Sequence, residues 1–550
     1  MTKTIPSTKT DRVRDQLPTI KPKRHKLDPE VAAALRSIVG ADNFTEDPGI
    51  IDGYHNFTVG QVLGVGTVIA PPAVILPGST EEVAAIMRVM DRSRIKCCPI
   101  STNYGAPPLW GGITTKDMLY MDLRRMNRIL EIDEKNQRVV VEPFVTVAQL
   151  NGELHKIGYT CHCTGPGPTI SPLATTTQGW GMGFDSIFMG WSGRNFLGGE
   201  WVSPKGEIMS IGAPGWFYPD APGTSFFGAL RGGMGPLGGL GVFTKCAIKI
   251  YPWAGQGEEL EGVPPSIHVK AWPKRLKAYI LTFPDMDRMT EAMYMINKAH
   301  IGYALDKNPP AAGAFFTLDS NDEVYQLLSS GVMDAAFGQP KVTVSFAIGA
   351  FSDREIEYQE KVALEIFRRC GASMNEELSQ SLPKLAEQGY YHCAWNTGTA
   401  QGVFKAAGTF YVGISYMDTT DVCSDGSILF GEIKKEYEER GLLFNDGGES
   451  NWAAYYEGGT LGGLHTETIW QGDASDLESI LGANDLFFKA CKPWLDRGLT
   501  PFWGMHVGHF GALLGGPASV QYEYRCKIKK AFDPKNIFGS MLYALPREDD

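Results

Sequence analysis

Apolar runs of about four to eight residues, separated by polar turns and amphipathic stretches, set the rhythm of this sequence. Asp28 as cap and Pro29 at the first helical position predict a helix through Val39. Ala73-Val74-Ile75-Leu76-Pro77 reads as a buried strand, and Ser79-Thr80-Glu81-Glu82 as a capping box opening a helix over 83–90. Residues 99–112 form a loop rich in Gly and Pro. Strands follow over 118–123, 129–132 and 139–142, and Thr146 with Gln149 repeats the capping-box spacing. Residues 164–199, dense in Gly, Thr and Pro, resemble neither helix nor sheet. A hairpin over 201–211 turns at Pro204-Lys205-Gly206, and a further glycine-rich loop, 232–241, runs into a strand over 242–251.

From about residue 272 the texture changes to strand-then-helix units. They pair 279–283 with 286–300, 342–348 with 353–370, 410–414 with 428–440, and 464–470 with 486–492, where Pro493 should end or kink the helix. Four such units suggest an antiparallel sheet with helices on one face, as in a doubled ferredoxin-like layout. The chain closes on an amphipathic helix stopped by a turn at Asp533-Pro534. The expected division is an arm, 1–27, a first domain, 28–270 with 500–550, and a second domain, 271–499. The fold class is α+β.

Composition narrows the partners. The net charge of −11 and the lack of a Lys/Arg cluster argue against nucleic acid. No apolar stretch reaches the roughly 18–20 residues of a membrane span. The first 27 residues hold basic residues and prolines but no apolar run, so they are read as an extended arm rather than a secretory signal. Ten cysteines without a C-x-x-C pair give no disulfide framework or zinc motif, and a reducing cytoplasm is expected. In Cys161-His162-Cys163, strand alternation sends His162 to the face opposite both cysteines.

Gly233-Met234-Gly235-Pro236-Leu237-Gly238 matches G-x-G-x-x-G in letters, but a Rossmann loop opens a helix and this one opens a strand. Walker and G-x-S-x-G motifs are absent. What remains is three Gly/Thr/Pro-rich loops, 99–112, 164–199 and 232–241, flanked by strands within one unit. Such loops bare main-chain amides and admit close approach, which suits a long extended ligand. Surface turns are the plainer alternative.

Pro72-Ala73-Val74-Ile75-Leu76-Pro77-Gly78-Ser79-Thr80-Glu81-Glu82-Val83 followed by Pro99-Ile100-Ser101-Thr102 resembles the opening of the FAD-binding domain of the vanillyl-alcohol-oxidase and p-cresol-methylhydroxylase flavoproteins. Met126–Ile132, Val141-Glu142-Pro143, Gly181-Met182-Gly183-Phe184, Leu240-Gly241-Val242-Phe243-Thr244-Lys245 and Asp533-Pro534-Lys535-Asn536-Ile537 are similar to later parts of that family in the same order. The resemblance implies a two-part FAD-binding domain with mixed and antiparallel sheets, plus a cap whose large antiparallel sheet carries helices on one face. It also implies that Pro99, Ser101, Thr102, Asn103, Tyr104 and Gly105 wrap the pyrophosphate. Thr169, Ser171, Ala174, Thr175, Gly179, Gly181 and Gly183 would pass the ribityl chain and ring, and Gly241 and Val242 the adenine end.

Three departures from the family shape the expectation. No His lies on Ala406-Ala407-Gly408-Thr409-Phe410-Tyr411, the strand through which relatives bind flavin covalently, so FAD is expected to be non-covalent. The phenolate clamp of two Tyr and an Arg has Pro108, Trp503 and Gly504 as counterparts, which supply only an indole N–H. Tyr104 stands where a basic residue is common. The catalytic candidates are His465, on a cap strand that bears a His in relatives, His506, Trp503 and Asp185, with His509, Tyr390 and Tyr391 behind them. The aromatic cap points to a hydrophobic or aromatic substrate.

The leading reading is hydride transfer from an aromatic or hydrophobic alcohol or benzylic carbon to flavin N5. The alternative is a 2-hydroxy-acid dehydrogenase of the glycolate or D-lactate type, kept open by His506 and His509. A third is a flavin-free binding protein on an enzyme scaffold. Relatives often self-associate, so a homo-oligomer is implied; the electron acceptor, oxygen or a redox protein, stays open.

Overall fold

In the computed structural model the described residues are 24–52, 54, 71–102, 118–164, 167–178, 183–211, 239–263, 266–307, 309, 311, 318, 320–332, 341–374, 410–449, 451–457, 463–473, 476–496 and 516–538. The helix Pro29–Val39 is capped by Asp28 through the amides of Glu30 and Val31. After it come β1 (Phe44–Thr45), β2 (Val74–Ile75), the helix Thr80–Ser93, β3 (Lys96–Ile100) and β4 (Met118–Asp122). These strands form one sheet in the order β1-β2-β4-β3, with β2 and β3 both parallel to β4. Parallel strands need a crossover that covers the sheet. The helix Thr80–Ser93 supplies it, packing Val83, Ile86, Met87 and Met90 with Ile75, Leu119 and Met121.

β5 (Ile129–Asp133) and β6 (Arg138–Val141) lead to the helix Val147–Leu154 and β7 (Tyr159–Thr160). Two short helices, Pro172–Gln178 and Ser186–Met189, precede β8 (Phe196–Val202), β9 (Ile208–Ile211), β10 (Val242–Lys249) and β11 (Tyr251–Pro252). The longer strands make an antiparallel sheet, β5-β6-β10-β8-β9, and β7 pairs with β11 beside it. β12 (Leu260–Val263) and β13 (Ser266–Val269) form a hairpin.

The cap holds β14 (Leu276–Phe283), β15 (Ala304–Lys307), β16 (Val342–Gly349), β17 (Ser373–Met374), β18 (Phe410–Thr419), β19 (Asn451–Glu457) and β20 (Gly463–Gln471). All lie in one antiparallel sheet, β17-β14-β16-β15-β19-β20-β18. The first half has the ferredoxin-like order and the second repeats three of its four strands, the halves meeting where Lys307 faces Ala454. Period-two alternation sends Leu281, Val344, Phe346 and Ile348 to one face, where they pack on Met289, Met293, Ile366 and Phe367 of the helices. Ala304 and Ala347, on the other face, meet Phe184, Trp253 and Tyr303. The fold is therefore α+β, with two main sheets in the first domain and a cap whose sheet is covered by helices on one face.

Several elements depart from the expectation. The last cap helix runs Leu477–Asp496 and takes Pro493 into its final turn, because Ile480, Ala483, Leu486 and Ala490 form a buried stripe that outweighs one lost bond. Both capping boxes are only half made: Glu82 accepts from the Gly78 amide, one residue early, and Gln149 donates to the Asn127 carbonyl. The stretch read as irregular, 164–199, contains two short helices and the start of β8. β15 and β19 complete the cap sheet without having been foreseen.

Candidate functional site

β3 delivers Pro99, Ile100, Ser101 and Thr102 to the edge of the first sheet. There Thr102 Oγ1 accepts a hydrogen bond from the Ser171 amide at 3.2 Å, joining the first glycine-rich loop to the second. The second loop is in turn pinned to the helix Val147–Leu154, whose Val147 and Ala148 amides donate to Ile170 and Pro168 at 2.9 and 2.7 Å. Ser171 opens the helix Pro172–Gln178 by accepting from the Ala174 and Thr175 amides. Leu173, Thr175, Thr176 and Thr177 are buried, while Ala174 is half-exposed. Thr176 Oγ1 lies 3.5 Å from Cys246 Sγ, which sets this helix against β10, the strand that follows Gly241. The described parts of the first two loops thus meet, and the helix opened by the second packs on the strand that follows the third.

The residues present fit a polar, extended group such as FAD. Thr164 Oγ1 and the Trp201 indole N–H are buried without a hydrogen-bond partner among the described residues. Buried donors rarely stay orphaned, so a ligand or water is their ordinary destination. Gly241 sits so close to the Trp201 indole that a Cβ would collide with it. Gly183 likewise has no room for a Cβ beside the Cys163 carbonyl oxygen. The backbone must run bare at both places.

Asp185 has no exposed surface, and its carboxylate is taken up from two sides. Its Oδ2 accepts from the Cys163 amide at 2.9 Å, and its Oδ1 is hydrogen-bonded to His162 Nδ1. Cys161 and Cys163 point into the core, as alternation predicted, and His162 points away from them. The buried charge of Asp185 adds to the burial that raises the Tyr251 and Tyr303 hydroxyls and the Cys161 thiol. Next door, the Phe184 carbonyl accepts from the Leu305 amide on β15 at 2.7 Å, so this knot also joins the first domain to the cap. The sequence named Asp185 but not its partner, although the Cys-His-Cys alternation already held the signal.

Of the other candidates, Thr169 and Gly183 lie on the convergent loops, and Val242 begins β10. His465 lies on β20 opposite Met417 and Tyr455, at a position alternating with Thr466, Thr468 and Trp470, which are buried. Asn103, Tyr104, Gly105, Gly179, Gly181, Trp503, His506, His509, Pro108, Gly504, Tyr390 and Tyr391 lie outside the described residues, as does 406–409. Among the described residues no helix is long and apolar enough to cross a membrane, and no group of His, Cys, Asp and Glu could hold a metal.

Bare glycines beside orphaned donors, in a domain next to a large antiparallel sheet, are suited to an extended dinucleotide. Residues 71–212 match the family model described as FAD binding domain. An uncharacterised FAD-linked oxidoreductase of Escherichia coli (strain K12) is 32% identical over 147 residues, which is 26% of this chain and 29% of that protein. A probable mitochondrial D-lactate dehydrogenase of Danio rerio is 23% identical over 277 residues, 50% of this chain and 49% of that protein. The chain thus spans less than half the length of these relatives. A solved structure of p-cresol methylhydroxylase with substrate bound has a TM-score of 0.68 at 16% identity, covering 95% of this chain and 97% of that one. The 4-ethylphenol oxidase of Gulosibacter chungangensis, in complex with isoeugenol, gives 0.67 at 18% identity, covering 94% and 97%. Residues 71–212 are thus similar to an FAD-binding domain, and the chain as a whole shares the fold of p-cresol methylhydroxylase.

Proposed function

We propose that this protein is a FAD-dependent oxidoreductase that takes hydride from an aromatic or hydrophobic alcohol or from a benzylic carbon. The meeting of the first two loops at Thr102 and Ser171, with the helix Pro172–Gln178 packed on the strand that follows the third, carries the reading, because it gathers amides that would hold FAD. Bound FAD would supply the hydride acceptor. The protein supplies the rest. The loops fix the cofactor, without a covalent bond. The cap sheet excludes water from the reacting carbon. His465, on β20, takes the proton released from the substrate hydroxyl. Support for an apolar substrate comes from the aromatic cap segments and from the fold shared with p-cresol methylhydroxylase and 4-ethylphenol oxidase.

A second reading, oxidation of a 2-hydroxy acid, is favoured by the likeness to the Danio rerio protein. One experiment separates the two. The purified protein, yellow with flavin absorbance, is mixed anaerobically with a benzylic alcohol or with D-lactate. Bleaching by the alcohol alone supports the proposal; bleaching by D-lactate alone replaces it with the second reading, and a colourless protein that binds no added FAD overturns both.

A further inference from the structure

The helix Gly516–Phe532 ends in a turn whose polar groups face inward. Lys529 is buried there, and its ammonium donates to Gly239 O at 2.6 Å, Asp533 Oδ2 at 2.7 Å and Phe538 O at 2.5 Å. An ammonium has three protons, and each is engaged. Asp533 is equally committed: Oδ1 accepts from the Ile537 amide and Oδ2 from the Phe538 amide, both at 2.8 Å. The Ile537 carbonyl then accepts from the Cys97 amide at 2.7 Å.

Closing a helix requires only the contacts within 529–538. The reach to Gly239 and Cys97 does something else. Gly239 lies two positions before Gly241 in the third loop, and Cys97 lies on β3, which runs into Ser101 and Thr102 in the first. The carbonyl and amide of one trans peptide point in opposite directions. Holding the Gly239 carbonyl toward Lys529 therefore aims the Leu240 amide away from the helix. Ile537 and Phe538 are buried with Val242, Val202 and Cys97, so the turn is wedged between the two loops as well as bonded to them.

We infer that Lys529 and Asp533 form a latch: the turn they close holds Gly239 and β3 at a fixed spacing, and with them two of the loops that grip FAD. Lys529 is a positioning residue for cofactor retention and does not itself touch the cofactor. The inference rests on the FAD reading above.

FAD affinity of the apo-protein, followed by quenching of flavin fluorescence, tests it. Lys529→Met is expected to weaken binding by about tenfold or more. The control is Lys434→Met, which removes a buried ammonium held by Asp446 at 2.8 Å in the cap. It lowers the thermal midpoint yet leaves the FAD Kd within about twofold. An unchanged Kd in Lys529→Met, or equal losses in both variants, overturns the latch. If Lys529→Met does not fold, hydrogen exchange of the unaltered chain decides. FAD should then slow exchange at the Ile537 and Phe538 amides as well as at the loops, and no slowing at those two overturns the latch. An unaltered chain that binds no FAD fails the proposed function first, and the latch falls with it.

Discussion

Replacing His155 with Phe should flatten the acid side of the stability profile. His155 follows the helix Val147–Leu154 and is 3% exposed. Its ring stacks on Trp253 at 4.0 Å between centroids and 6° between planes, and neither ring nitrogen has a hydrogen-bond partner among the described residues. Burial pushes the imidazole down from 6.5 to about 3. The folded-state pKa therefore lies below the unfolded one, and the neutral ring is what the fold stabilises. Unfolded chains take up the proton as the pH falls through about 6.5, whereas folded chains refuse it until about 3. This contribution is complete above about pH 6.5 and lost progressively between there and about pH 3. At about 1.36 kcal/mol per unit, the loss between pH 7 and pH 5 is about 2 kcal/mol. Phe keeps the stacking on Trp253 and removes the titration. Urea unfolding of both proteins at pH 7 and pH 5 is the assay, and the unaltered chain should lose about 2 kcal/mol more than the variant. Equal losses would refute the reasoning, because they would mean that the buried ring accepts a proton in the fold.

Three other outcomes are expected. Gly183→Ala forces a Cβ onto the Cys163 carbonyl oxygen and should cost about 1–3 kcal/mol in urea unfolding, with weaker FAD retention; wild-type values in both would contradict the close approach. The proposed non-covalent hold on the flavin requires acid precipitation to leave a white pellet and a yellow supernatant, and a pellet that stays yellow would overturn it. His465→Ala should slow anaerobic flavin reduction by about tenfold or more, and an unchanged rate would remove His465 from the proton path.

Much of the fold was legible from local signals. Asp28, Ser79 and Thr146 all cap the helices they were expected to cap, because an Ncap hydroxyl or carboxylate is satisfied within a few residues. The strand-then-helix texture of the cap gave its antiparallel sheet for the same reason: period two and period 3.6 are written locally. The misses are non-local. β15 spans only Ala304–Lys307, and Asp306 and Lys307 are polar yet buried, so its hydrophobic pattern is that of a turn. The fate of the Glu82 and Gln149 side chains depended on Gly78 and Asn127, and no spacing rule could choose those partners over the helix amides. The convergence of the first and second loops rests on one bond between residues 69 apart.

The joint between the two domains follows from that same short strand. β15 pairs with β16 along its length but meets β19 where Lys307 faces Ala454. Its outer edge at Leu305 is instead satisfied by the Phe184 carbonyl of the first domain, and the helix Ser186–Met189 packs against both β15 and β19. An open sheet edge is a liability that some segment must cover. Here the covering segment is the one whose next residue, Asp185, is locked to His162 and the Cys163 amide. Cap and first domain are therefore joined by a backbone bond whose acceptor neighbours the fixed Asp185, with Ile187 set so close to Gly302 that no Cβ would fit between them. On the proposed function, this joint would hold substrate and cofactor in one frame, the condition for keeping a carbon at hydride-transfer distance.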